Sequence, residues 1–167
     1  MTVHQSTLIT NREDKSAQIP RGEQGHLRVA LAGYEASGAI ADNDVIVFAE
    51  IPVNARIVSM KFDCDDMGTS GDLNFGFYPG NADVATLTDA DAVDEDALAT
   101  AVDVNAAALV DTELRFEVKD LSTVNDAAWE LAGLSEAPAY NTFLVAATAS
   151  EATTAAGGMA MRLFYTE

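Results

Sequence analysis

Short runs in which apolar and polar residues alternate dominate the chain after its first 26 residues. Because successive side chains of a strand point to opposite faces, a period of two predicts half-buried strands. We expect strands at 27–31, 45–51, 57–62, 73–78, 113–118, 140–149 and 159–165. In the fourth run Leu73, Phe75 and Phe77 share one face, and Gly76 between them predicts a bulge or the close approach of another backbone.

Two segments depart from this alternation. Residues 79–110 are rich in Ala, Asp, Thr and Val and contain no strong strand pattern, so we expect a surface excursion between the sheets. Within it, 94–102 has the spacing of a short helix capped by Asp94. A clearer helix is predicted at 124–131, with Asn125 or Asp126 as cap, Trp129 inside and Gly133 as its end.

Seven or so short strands separated by turn residues are typical of two packed antiparallel sheets. The predicted fold class is therefore all-β: an antiparallel two-sheet sandwich, jelly-roll-like, with one or two short helices and an extended N-terminal arm. The pattern favours a jelly roll and leaves an immunoglobulin-like sandwich open.

The first 26 residues show neither a helical nor a strand period, and their three basic and three acidic residues cancel. We therefore divide the chain into an arm, 1–26, and a β-sandwich domain, 27–167. A disordered tail and an arm that docks on a neighbouring subunit are both open interpretations. In the second, backbone pairing and five arm side chains make the contacts: Leu8, Ile9, Arg12, Ile19 and Arg21.

Composition and charge narrow the possible functions. The chain has 167 residues, enough for one domain, and 49% are hydrophobic, but 30 are alanine, which predicts a thin core. Nine basic and 27 acidic residues give a net charge of −18, which argues against partners with phosphate backbones or anionic membrane surfaces. No apolar run approaches the ~20 residues that span a bilayer, and Cys64, the single cysteine, is expected to be a buried apolar residue. We expect a soluble protein made in a cytoplasm.

Candidate chemistry is sparse. The only histidines are His4 and His26, and the motifs of nucleotide, zinc and serine-hydrolase sites are absent from the sequence, which predicts no catalysis and no cofactor. Two carboxylate clusters have the ligand type of Ca²⁺ without the spacing of an EF-hand, and a solvated surface explains them equally simply. Their candidate ligands are Asp63, Asp65, Asp66, Asp89 and Asp91. A sugar-stacking role for Trp129 is less economical than a place in the core.

Three segments resemble a group of tailed-virus virion proteins, small all-β subunits of the capsid-decorating, cement or head-stabilising type. Residues 44–58, which begin Asp-Val-Ile and contain Ile51-Pro52, are similar to a strand–turn–strand segment of that group. Gly76 and Tyr78 match a second strand. The C-terminal part of the chain, 129–134 and 157–165, is similar to a segment of that group with a late helix followed by two strands and a terminal R-x-x-Y. Together the resemblance covers about 38–80 and 124–167.

The resemblance implies a bacteriophage virion protein that binds the outer capsid surface and stabilises the head. It implies the major capsid protein and other copies of the chain as partners, with a trimer favoured at lattice three-fold positions. A tail-associated or host-recognition sandwich that binds carbohydrate or Ca²⁺ is the alternative. An exposed aromatic cluster would favour that alternative.

Overall fold

The computed structural model describes residues 26–105 and 107–167. Eight strands and one short α-helix, α1 (Ala128–Leu131), form the framework. The strands are β1 (Leu27–Glu35), β2 (Val45–Pro52), β3 (Arg56–Cys64), β4 (Asp72–Pro79), β5 (Asp94–Asp103), β6 (Leu109–Glu113), β7 (Thr142–Glu151) and β8 (Gly158–Thr166).

The strands form two four-stranded sheets in which every hydrogen-bonded neighbour is antiparallel. Sheet A has the order β1-β8-β3-β6, and sheet B has the order β2-β7-β4-β5. Consecutive strands pass from one sheet to the other except at β4 and β5, which are neighbours in sheet B. This is the strand order of a jelly roll, so the predicted all-β, antiparallel two-sheet sandwich is confirmed.

The inner faces of the two sheets enclose the core. Phe62 of sheet A packs edge-on against Phe75 of sheet B, with ring centroids 4.9 Å apart. Met159, Met161 and Cys64 are buried as predicted, and burial raises the pKa of the Cys64 thiol. The alternation that predicted β4 is confirmed, since Leu73, Phe75 and Phe77 are all fully buried in the core.

Gly76 lies where another backbone approaches, as its place in mid-strand predicted. A Cβ added at Gly76 would lie 2.0 Å from the carbonyl oxygen of Asp94 on β5. The pairing of β4 with β5 shifts register on both sides of Phe75. Glycine is needed here because β5 crosses closer to β4 than any side chain permits.

The helix predicted at 94–102 is wrong, because this segment forms the edge strand β5. Its pairing with β4 outweighs the helical spacing of its apolar residues. Ala101 has a φ of 47°, and this irregularity disturbs the alternation by which a strand is identified from sequence.

The strand predicted at 113–118 is also misplaced. It corresponds only at its start to β6, which ends at Glu113. Residues 114–118 turn away from the sheet and bury both Leu114 and Arg115. The Arg115 guanidinium donates to the carbonyl oxygens of Ile57 (3.0 Å) and Thr123 (2.7 Å), so an inward-facing arginine replaces the predicted alternation.

The late helix is shorter than predicted and begins later. A 3₁₀ turn occupies Leu121–Asn125, and α1 follows it. Neither Asn125 nor Asp126 caps α1; the Glu130 carboxylate instead accepts the N–H of Ala127 at 2.7 Å. Gly133, with a φ of 71°, ends the helix as predicted. Trp129 is half-buried against the core.

Candidate interaction surface

The outer face of sheet B is covered by the connection between β4 and β5. This connection carries two 3₁₀ turns, Val84–Thr86 and Asp89–Asp91, and packs Leu87 and Ala92 on the sheet. Beneath it, the outward-facing Tyr78, Leu144 and Ala146 are almost completely buried. The Tyr78 hydroxyl forms a buried hydrogen bond with Thr148 Oγ1 at 2.6 Å. Of the surface excursion predicted at 79–110, residues 80–93 are therefore a second layer over sheet B, whereas 94–103 form β5 and 109–110 begin β6.

The outer face of sheet A has no such layer in the described residues. On β1, Leu27, Val29 and Leu31 are 57%, 49% and 73% exposed. Val58 on β3 is 45% exposed, and Phe164 on β8, the pairing partner of Val29, is half-buried. We call these five residues the apolar face of sheet A. Contiguous exposed apolar side chains of this kind mark protein interaction sites.

The edge of sheet A formed by β1 is unusually regular. All nine residues of β1 pair with β8 without a register shift. The other three edge strands are interrupted, which protects a sheet from adding further strands. β2 has a register shift and ends in Pro52, β5 has two shifts, and β6 has five residues with a φ of 54° at Asp111. β1 is therefore the flat, apolar edge of the sandwich.

Charge is divided between the sheets. The strands of sheet A hold four basic and four acidic residues, which cancel: Arg28, Arg56, Lys61 and Arg162 against Glu35, Asp63, Asp111 and Glu113. The strands of sheet B hold seven acidic residues and no basic one: Glu50, Asp72, Asp94, Glu95, Asp96, Asp103 and Glu151. The exposed apolar face therefore belongs to the electrically neutral sheet.

A polar network crosses the outer face of sheet A beside the apolar face. Arg162 Nη2 donates to Asp63 Oδ2 at 2.7 Å and to Asp111 Oδ1 at 2.9 Å, and Lys61 Nζ lies 3.4 Å from Asp111 Oδ2. The backbone N–H of Asp111 and the Arg162 guanidinium hold the pKa of Asp63 below its usual range. The network joins β3, β6 and β8 and keeps the charges of this face paired.

A shallow groove of about 550 Å³ lies at the other end of the same face. Gly33, Gly158 and Ala160 line it with little side-chain volume, and the carboxylates of Glu35 and Asp65 lie near Gly158. The groove widens the uncovered surface, and its carboxylates suit a basic or hydrogen-bond-donating group of a partner.

The predicted calcium ligands occupy separate structural roles. Asp63 belongs to the polar network, Asp65 accepts the N–H of Gly158 at 2.8 Å and Asp66 accepts the N–H of Gly68 at 2.9 Å. Asp89 begins a 3₁₀ turn, and Asp91 accepts the N–H and the hydroxyl of Thr88, which lowers its pKa. Across 26–105 and 107–167, no three His, Cys, Asp or Glu side chains are placed to share a metal ion.

The predicted arm contacts lie outside the described residues: Leu8, Ile9, Arg12, Ile19 and Arg21. Sequence reasoning missed two features that the structure supplies. It predicted β1 as a strand but did not identify its outward face, because Ala30 and Ala32 on the inward face are apolar as well. It also gave no sign that Arg115 is fully buried.

Within the described part of the chain, no helix is both long and apolar enough to span a membrane.

No protein-family model and no curated protein matches this chain. Among solved structures, it is similar to a chain described as "Cyanophage Pam1 capsid asymmetric unit". That similarity covers 85% of each chain, with 17% sequence identity and a TM-score of 0.47, which is too distant to identify a function.

Proposed function

We propose that this chain is a virion structural protein that binds the outer capsid surface and stabilises the head, in the manner of a decoration or cement protein. The resemblance of residues 38–80 and 124–167 to capsid-decorating proteins supports this proposal. The structural observation on which it depends is the uncovered, neutral and apolar outer face of sheet A. A protein with a binding role needs such a face, whereas a chain that acts alone gains nothing from leaving it exposed.

Stabilisation by burial is the proposed mechanism. Removing apolar surface from water contributes about 25 cal/mol per Å². The backbone that carries Leu31 and Val58 is already ordered in the sheet, so their docking costs side-chain entropy but no backbone entropy. Repetition of the same contact over a symmetric lattice then multiplies a modest affinity. The role requires neither catalysis nor a cofactor.

The acidic sheet B suits the solvent side of such a subunit. Its strands carry seven acidic residues, and its apolar outward side chains are covered by the protein's own connection. Negative charge on the exposed side favours solubility before assembly and disfavours binding to the genome. The two outer faces thus have separate proposed roles, sheet A for contact and sheet B for solvation.

The proposed partners are the major capsid protein and other copies of the chain, with a trimer at lattice three-fold positions. In this assembly the arm, 1–26, lies against a neighbour or the capsid floor. Deleting the arm should weaken capsid binding, because the pairing that it supplies is lost. Unchanged affinity of the truncated protein would remove the arm from the mechanism.

Co-sedimentation with capsids that lack the protein tests the proposal. We expect the wild-type protein to bind and to raise the resistance of the particles to heat and low salt. Val58→Lys, which places a charge on the apolar face away from β1, should weaken binding. Val84→Lys is the matched control, because Val84 is 55% exposed on the connection over sheet B. Failure of the wild-type protein to bind, or equal loss in both variants, would contradict the proposal.

The alternative of a sugar-binding module gains no support from the surface. Among the large apolar side chains that are exposed in the described residues, Tyr34 is the one aromatic. A stacking platform for sugars requires exposed aromatic rings, so we do not propose this function.

A further inference from the structure

Within residues 26–105 and 107–167 no strand pairs with β1 on the side away from β8, and this edge has backbone groups that can accept another strand. Ala36 donates its N–H to Gly157 O at 3.0 Å, on the β8 side, and it continues the register in which Glu35 pairs with Gly158. Backbone groups alternate in direction along an antiparallel strand. The N–H and C=O groups of the odd-numbered residues, from Leu27 to Glu35, therefore point away from β8 toward the edge. Seven of the nine residues of β1 are exposed.

We infer that β1 pairs antiparallel with β1 of a second copy, joining two sheets A across a two-fold axis. The pairing with full overlap places Leu31 opposite its own symmetry mate, Val29 opposite Gly33 and Leu27 opposite Glu35. All of these residues direct their backbone groups to the edge, so the register satisfies the hydrogen-bonding pattern of an antiparallel ladder. This inference does not depend on the proposed capsid role.

Side chains on both faces of the joined strands suit this register. On the outer face, the apolar side chains of the two copies form one continuous stripe with Leu31 at its centre. On the inner face, Arg28 meets Tyr34 of the second copy, and a guanidinium beside an aromatic ring is a favourable pair. Ala30 meets Ala32, whose small side chains permit close approach. Like charges that face each other are a usual obstacle to strand pairing, and this ladder contains no such pair.

The charge distribution of the domain favours a second copy of the chain as the partner of the β1 edge. The domain is strongly acidic, but the strands of sheet A carry no net charge, so this is the side on which two copies meet with the least repulsion. The edge also lacks the proline or bulge with which natural sheets prevent strand addition. Its one inward-facing charge, Arg28, lies near the end of the strand and is 3.3 Å from the carboxylate of Glu167. The contact is isologous and closes with two copies, so it is distinct from the heterologous contact of a trimer.

Sedimentation of the full chain over a range of concentrations, with Leu31→Lys and Val110→Lys, tests the inference. Val110 is the matched control because it is 77% exposed on β6, at the opposite edge of sheet A. Leu31→Lys should weaken self-association at least about tenfold, because two like charges then replace an apolar contact between neighbouring leucines on the axis. Val110→Lys should leave it within about twofold. Association of the wild type should strengthen with salt, which screens the acidic domains.

Amide exchange of the wild-type chain provides a readout that needs no variant of β1. Dimerisation should slow exchange at Val29, Leu31 and Gly33 as concentration rises. Leu8→Ser with Ile9→Ser in the full chain should leave that protection unchanged. A chain that stays monomeric, a dimer that Leu31→Lys does not weaken, or protection of β1 that is lost in the Leu8/Ile9 variant would overturn the inference, and the last result would assign the edge to the arm.

Discussion

Sheets A and B enclose one core but differ in their outer faces. Outward-facing Leu144 on sheet B is 5% exposed beneath the connection between β4 and β5, whereas outward-facing Leu31 on sheet A is 73% exposed. The strands of sheet B are acidic, and those of sheet A are neutral. The difference shows that the connection between β4 and β5 covers the outer face of sheet B, whereas no connection covers the outer face of sheet A in the described residues.

The largest expected effect concerns the packing of sheet B. Gly76→Ala should destabilise the fold by about 3 kcal/mol, because its Cβ would collide with the backbone of β5. Gly33→Ala on β1 is the control, since its Cβ would meet its nearest neighbour, Met159 O, at an ordinary 3.7 Å. Urea unfolding of both variants measures the difference. Equal losses would mean that β5 does not approach β4 as described.

Truncating the two outward leucines compares the outer faces directly. Leu144→Ala should cost about 2 to 3 kcal/mol of unfolding free energy, because it leaves a cavity under the covering connection. Leu31→Ala should change stability by no more than about 0.5 kcal/mol, since its side chain is solvated. Denaturant unfolding at low protein concentration separates this from self-association. A large loss at Leu31 would show that an unseen layer covers sheet A as well.

The buried hydroxyl pair under the same connection gives a smaller effect. Tyr78→Phe removes the partner of Thr148 and should cost about 1 kcal/mol. Tyr34→Phe, at a 44% exposed position on β1, should be neutral in thermal unfolding. If Tyr78→Phe also left thermal stability unchanged, a water molecule would have to reach the Thr148 hydroxyl and replace the lost hydrogen bond.

The polar network of sheet A predicts a small, pH-dependent contribution. The lowered pKa of Asp63 means that its ionised form stabilises the fold above the unfolded-state pKa of about 3.9, and that this contribution is lost as pH falls through the folded-state pKa. Asp63→Asn should therefore lower stability near neutral pH and less in acid. Unfolding of both proteins between pH 7 and pH 2 measures this. A difference in unfolding free energy between wild type and Asp63→Asn that grows as the pH falls would contradict the stabilising role of ionised Asp63.

The sequence correctly predicted the strands in which apolar and polar residues alternate clearly. β2, β3, β4, β7 and β8 combine β-branched or aromatic residues with a clear period, and their predicted positions agree with the structure. β5 was misassigned because its positive φ at Ala101 and its register shifts remove the period, while Ala97, Leu98, Ala101 and Val102 repeat at helical spacing. Tertiary pairing across Gly76 decided its structure.

The candidate surface was harder to predict than the fold. Leu31 on β1 is exposed and Leu163 on β8 is buried, because they lie on opposite faces of sheet A. Side chains alternate between the two faces in both strands, so the sequence alone does not show which leucine faces the core. On β1 the small Ala30 and Ala32 face the core while larger residues face outward, which reverses the order expected from side-chain size. That reversal becomes visible only when the topology places β1 at an edge.

Hydroxyl-radical footprinting of the free chain and of the chain bound to capsids tests the central claim most directly. The claim is that sheet A binds its neighbours and sheet B faces solvent. We predict that labelling of Leu31 and Val58 falls on binding, while labelling of Val84 over sheet B is unchanged. Protection of Val84 with continued labelling of Leu31 and Val58 would contradict the account.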